Sequence, residues 1–189
     1  MERNTSLKKW SEQAEGYHTV AWDRLPELEL YMDQVTSYLN RQLAALRASE
    51  EDDTILTNSM VNNYVKDGLI KRPVQKKYQR EQLCGLLMIC AMKSVLAIPD
   101  ISKLLSSLET NRTIQDFYEK FAAMQSETLH DVAARVKECC DDSADAKTIQ
   151  DLALTLTLEA DARVIAAQKL IESLNDPAEV KEAKKENKK

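Results

Sequence analysis

Three observations predict an all-α, mainly helical chain. Among 189 residues there are three glycines and four prolines, too few turn formers for an all-β fold. Apolar residues recur at helical spacing in one segment after another. At 43% hydrophobic and 30% charged residues, the composition is that of an ordinary globular protein. The length suffices for one compact core, or for a small head with a helical extension. The elements read in order as an arm, a head of helix, basic wing, helix and helix, and a C-terminal helical hairpin.

Residues 1–27 are the arm. Trp10, Tyr17 and Trp22 lie there among polar residues and are expected to pin it onto the core. An arm entering a DNA groove is the alternative, disfavoured because the segment has no Arg/Lys cluster. The head is expected over 28–110. Leu25-Pro26 breaks the chain, and from Leu28 to Arg47 the positions Tyr31, Val35, Tyr38, Leu39, Leu43 and Leu46 repeat as one face of an amphipathic helix. Ser49 to Asp53, reading SEEDD, is an acidic loop.

Thr57 stands where a helix N-cap would, with Asn58 and Ser59 in the first turn. Ser59, Asn62, Asn63 and Lys66 share one face of that helix, while Val61, Tyr64 and Val65 share the other. The polar face has amides, a hydroxyl and an ammonium but no carboxylate. Asn side chains pair bidentately with adenine in the major groove, and hydroxyls and Lys reach phosphates. Gly68 ends the helix. Residues 71–80 then form a short wing holding five cations around Pro73 and Tyr78, with no regular central strand. Residues 57–80 carry six cations against Asp67, while the whole chain has net charge −5. A basic island in an acidic chain suits phosphate; a solvated basic loop is the plainer reading.

From Glu81 to Val95 a core helix is expected, with Leu83, Leu86, Leu87, Ile89, Met92 and Val95 inside and Cys84 and Cys90 as small apolar residues. Pro99 opens a further helix whose core face is Ile101, Leu104, Leu105 and Leu108. The region 111–176 is a helical dimerisation or effector region. Thr113 with Asp116 resembles a capping box, and Ile114, Phe117, Tyr118, Phe121, Met124, Leu129, Val132 and Val136 mark a helix to Cys139. Cys139-Cys140-Asp141-Asp142 could bind a soft metal or sense thiols, but adjacent cysteines diverge on a helix and plain thiols are preferred. Thr148 to Leu174 carries two stripes. Ile149, Leu152, Leu156, Val164, Ala167, Ile171 and Leu174 form one; Leu154, Leu158, Ala162 and Ile165 form the other. Such a helix is buried on two sides, in a homodimer through 148–174 or at the centre of a monomeric bundle. Residues 177–189 are a charged tail.

The stretch 57–105 resembles the head of MerR-type transcriptional regulators. Their recognition helix reads Ser-x-x-Thr-Ile-Arg-Tyr-Tyr-Glu-x-x-Gly-Leu. Here Thr57 stands at the cap, Met60 and Val61 at Thr-Ile, Tyr64 at the second tyrosine, and Gly68-Leu69-Ile70 at Gly-Leu-aliphatic. Lys76 and Tyr78 answer the family's Arg-x-Tyr, Leu83, Leu86 and Ile89 its third helix, and Asp100-Ile101 its closing Glu-Ile. The pieces LYMDQV and NNYVK also resemble a domain-of-unknown-function family of bacterial proteins common in Gram-positives. Asn62 and Asn63 depart from the Arg-Tyr pair that touches DNA in MerR proteins. The wing lacks its usual glycine, and Leu96 replaces another.

Together the residues and the resemblance imply a sequence-specific DNA-binding regulator, a homodimer on a near-palindromic operator of double-stranded DNA. The candidate contacts are Thr57, Asn58, Ser59, Asn62, Asn63, Tyr64 and Lys66 from the helix, and Lys71, Arg72, Lys76, Lys77, Tyr78 and Arg80 from the wing. A helical protein-interaction module with an acidic partner is the alternative. No catalytic constellation is apparent: there are two distant histidines and no Gly-rich phosphate loop. No cofactor or metal is expected. No apolar run reaches the ~18 residues of a membrane span, and MERNTSLKKW has no signal-peptide core, so a cytoplasmic protein with reduced thiols is expected.

Overall fold

A computed structural model describes residues 2–44, 54–106, 113–139 and 145–174. Several expectations fall outside them: Leu46 and Arg47, the acidic loop, Leu108, Cys140 with Asp141 and Asp142, and the charged tail. Among the described residues the fold is mainly helical, as the composition predicts. In chain order it runs α1 (Glu2–Glu15), a 3-10 turn (Trp22–Arg24), β1 (Leu30–Tyr31), α2 (Met32–Gln42), α3 (Asn58–Lys66), β2 (Lys77–Tyr78), α4 (Arg80–Met92), α5 (Ile98–Ser106), α6 (Ile114–Cys139) and α7 (Ala146–Ser173). No helix among these residues is long and apolar enough to cross a membrane.

The core is built around α4, in which every residue from Gln82 to Cys90 is buried. A helix apolar all round belongs at a centre. Val35 and Leu39 of α2, Val61 and Tyr64 of α3, Ile70, Tyr78 of β2, Ile101 of α5, and Tyr118 and Ala122 of α6 close over it. Gly85 permits the tightest approach: a Cβ there would lie 2.7 Å from Ile70 Cδ1. The helix stops at Met92, short of the expected Val95. Val95 lies 52% exposed in the turn after it, so it is not a core residue.

Two local expectations are corrected. The first helix of the head starts at Met32, because Leu30 and Tyr31 are taken by β1. This strand pairs antiparallel with β2, Leu30 against Tyr78 and Tyr31 against Lys77. The helix cap is then supplied by Gln34, whose Oε1 accepts from the Tyr31 N–H at 2.9 Å. The N-terminal arm is also more than an extended pin. It forms α1, which packs on α6 through the buried Ser11 and Ala14. The chain then runs along α6: Thr19 N donates to Ser126 Oγ (3.0 Å), Thr19 Oγ1 to Gln125 Oε1 (2.9 Å), and the Tyr118 hydroxyl to Val20 O (2.7 Å). Bound in this way, the arm is not free to enter a groove. Trp22 does lie against the core, 6.3 Å from the Tyr118 ring.

The C-terminal half is a long hairpin. Thr113 and Asp116 form the reciprocal box at the start of α6: Asp116 N donates to Thr113 Oγ1 (3.1 Å) and Thr113 N to Asp116 Oδ2 (3.3 Å). Asp145 caps α7 by accepting from Thr148 N at 2.8 Å, so the helix begins earlier than Thr148. Arg135 of α6 grips Glu159 of α7 bidentately, at 2.7 and 2.9 Å. On α6 the buried stripe is Tyr118, Ala122, Ala133 and Val136. Ile114 and Met124, expected inside, are exposed.

Candidate nucleic-acid interface

The sequence of α3 dictates which way it faces. Thr57 Oγ1 accepts from Met60 N at 3.2 Å, fixing the first turn. Val61 and Tyr64 then turn into the core, and Ser59, Asn62, Asn63 and Lys66 stand exposed on the opposite face. Gly68 ends the helix with φ +78°, a backbone only glycine adopts readily. The helix is fixed to α2 by polar contacts. Asn58 Nδ2 donates to Asp33 Oδ1 (2.8 Å), and its Oδ1 accepts from Thr36 Oγ1 (3.1 Å). Asn40 of α2 holds the approach to α3, accepting from Ile55 N and Leu56 N and donating to Leu56 O, all within 2.8–2.9 Å.

The wing is a two-residue hairpin. Val74 and Lys77 bridge it, with Lys77 N donating to Val74 O at 2.9 Å. The two residues at its tip, Gln75 and Lys76, have φ of 51° and 66°. Positive φ at both central positions is the signature of the turn that suits a right-twisted hairpin, and Asn-Gly is its usual sequence. Gln-Lys instead holds two Cβ atoms in the left-handed region, at about 1–2 kcal/mol each. The tip thus aims Gln75 and Lys76 outward on strained backbone.

Charge on the wing is divided. Lys77 is half-buried, 3.8 Å from Glu29 and 5.8 Å from the centre of the Tyr31 ring. Arg80 donates to Leu25 O (3.2 Å), lies 3.3 Å from Glu27, and stacks over Trp22 at 5.5 Å. These two cations brace the wing and the first turn of α4. Lys66, Lys71, Arg72 and Lys76 are exposed, and among the described residues no carboxylate forms an ion pair with them. Since α2 packs against both α3 and β2, helix and wing sit on one scaffold.

The expected contact set therefore splits. Ser59, Asn62, Asn63, Lys66, Lys71, Arg72 and Lys76 are open to a ligand. Tyr64 and Tyr78 are not: they are 7% and 2% exposed, and burial raises both hydroxyl pKa values. Thr57 is occupied as a cap and Asn58 by α2, and Lys77 and Arg80 are engaged within the chain. Gln75 was missed, because nothing in a Gln-Lys dipeptide announces a left-handed turn.

The thiols divide too. Burial pushes Cys84 up to about 12 and Cys90 up to about 11, so both act as small apolar residues without accessible thiolate. Cys139 is half-exposed, its Sγ 3.8 Å from Thr148 O. No group of three or more His, Cys, Asp or Glu that could hold a metal occurs among the described residues.

A buried central helix, four helices around it and a short ribbon bearing a basic tip define a helical head with a small wing. Residues 20–121 of the chain, more than half of it, match the family described as Domain of unknown function (DUF1836), and the chain belongs to that family. No curated protein and no solved structure matches it. The matched span coincides with the core around α4, whose members run from Val20 and Leu25 to Phe121 and Ala122. The first turns of α6 are thus part of the family unit, while α1 and α7 lie outside it.

Proposed function

We propose that the protein binds duplex DNA in a sequence-selective way, with α3 in the major groove and the wing on the flanking backbone. The observation that carries this reading is the exposure of Ser59, Asn62, Asn63, Lys66, Lys71, Arg72 and Lys76, none of whose cations is paired with a carboxylate among the described residues, in a chain whose net charge is −5. The two amides offer bidentate donor–acceptor pairs for base edges. The four cations hold phosphates and fix register. Apart from the leading strand β1, which was not expected, the order helix, helix, basic hairpin, helix and helix is that of the MerR-type head the sequence resembles, and we read the protein on that likeness as a transcriptional regulator. A dimer of such heads reads a near-palindrome.

The test is selection of duplexes from a random pool, followed by titration of the winner at several salt concentrations. Lys71→Glu/Arg72→Glu should bind at least tenfold more weakly, with a shallower dependence of log K on log salt. If that variant binds like wild type, the basic surface serves another ligand, and an acidic protein partner becomes the better reading.

A further inference from the structure

Helix α7 carries two apolar stripes, and the fold covers one of them. The stripe through Leu152, Leu156, Val164 and Ile171 is buried or half-buried where α7 packs on α6 and α5. On the opposite side Leu154, Leu158 and Ile165 are 58%, 61% and 52% exposed. Their spacing of four and seven residues keeps them in one line along the helix. We propose that this line is the contact between two copies of the chain, with α7 lying antiparallel to its counterpart and the two-fold axis passing near Glu159 and Ala160.

The charges that flank the line select both the partner and the direction. At 100° per residue, Lys147, Asp151, Lys169 and Glu172 fall within about 40° of the stripe. In an antiparallel pair centred between 159 and 160, Lys147 lies opposite Glu172 of the other copy and Leu154 opposite Ile165, while Asp151, opposite Gln168, comes within one residue of Lys169. Every one of these matches recurs on the other side of the axis, as a self-complementary interface requires. A parallel pair would set each charge against its own copy. The in-chain pair of Lys169 with Glu172 at 2.9 Å is exposed, so it can exchange partners at little cost. Asp161 is the one repulsive element. It lies at the edge of the stripe near the axis, where both copies bring a carboxylate, so its neutralisation should tighten the dimer.

Light scattering on the full chain, eluted at micromolar concentrations without DNA, measures this directly. Wild type should elute at twice the chain mass and Leu158→Glu/Ile165→Glu at the chain mass, with the same circular dichroism spectrum. Asp161→Asn should dimerise several-fold more tightly than wild type. Direction is read by disulfide trapping in a Cys139→Ser/Cys140→Ser background. Leu154→Cys mixed with Ile165→Cys should cross-link. Leu154→Cys alone should not, because its two copies would lie about 16 Å apart along the axis. A monomeric wild type, or a dimer that survives the double Glu variant, overturns the contact. Self-linking of Leu154→Cys overturns the antiparallel arrangement. Because DNA is absent, failure here leaves the DNA-binding reading standing.

Discussion

Replacing Gln75-Lys76 with Asn-Gly should make the protein more stable and a weaker DNA binder. The wing tip holds φ of 51° and 66° at these two residues, and each left-handed Cβ is disfavoured by about 1–2 kcal/mol. Glycine relieves this strain, less the extra 0.5–1 kcal/mol of chain entropy, roughly, that it loses on folding. Asparagine tolerates the left-handed region better than glutamine does. The net gain for Gln75→Asn/Lys76→Gly is about 1–2 kcal/mol. In a chain of this length each kcal/mol moves Tm by about 2–4 °C, so the midpoint should rise by roughly 2–8 °C. Thermal melts followed by circular dichroism, and denaturant titrations read on Trp10 and Trp22, measure it. The same variant loses the Lys76 ammonium. Its salt slope for duplex binding should fall by about 0.9 for one lost phosphate contact. Lys76→Asn separates the effects, keeping a side chain suited to the turn while removing the charge. A double variant no more stable than wild type would refute the strain argument. One that gains stability and binds duplex with an unchanged slope would refute the contact.

Other outcomes follow from the same geometry. Asn40→Ala removes the acceptor for Ile55 N and Leu56 N and the donor to Leu56 O, so it should lower stability by about 1–3 kcal/mol and weaken DNA binding by loosening α3; urea melts and anisotropy read the two effects. Tyr118→Phe removes a hydroxyl donating to Val20 O and should lower stability by about 1 kcal/mol while leaving duplex affinity unchanged. In native protein at pH 8, Cys84 and Cys90 should not react with a thiol reagent, whereas both should react in urea. Burial raises both thiols from an ordinary value near 9, to about 12 and about 11. Folding therefore favours the protonated form. That stability is complete below pH 9 and is lost as pH climbs toward 11–12, so alkaline unfolding should begin in this window, and Cys84→Ala should shift its onset upward.

Much of the scaffold was legible because caps and apolar spacing are local signals. Thr57, Gly68 and the Thr113–Asp116 box each mark a helix end with their own chemistry, and the inner stripe of α7 was visible from its period. What stayed hidden depends on partners distant in sequence or on side-chain direction. Leu30 and Tyr31 read as the start of a helix, because their pairing partners, Tyr78 and Lys77, lie far along the chain. Helix α1 buries Ser11 and Ala14, small residues that leave little apolar pattern. On the candidate surface, residue type identified the Asn and Lys positions of α3. Spacing put Tyr64 on the apolar face with Val61 and Val65, although it was still counted among the contacts; residue type could not tell that Tyr78 points inward, or that Glu27 and Glu29 claim Arg80 and Lys77.

The central claim is that the amide face of α3 reads bases, and its most direct measurement is a specificity ratio. Wild type and Asn62→Ala/Asn63→Ala would each be titrated by fluorescence anisotropy, at one salt concentration, against a selected duplex and a scrambled one. Wild type should prefer the selected duplex by about a thousandfold or more. The variant should lose most of that preference while keeping wild-type affinity for the scrambled duplex, since its phosphate contacts are intact. Equal affinity of wild type for both duplexes, or an unchanged ratio in the variant, would contradict base readout by α3.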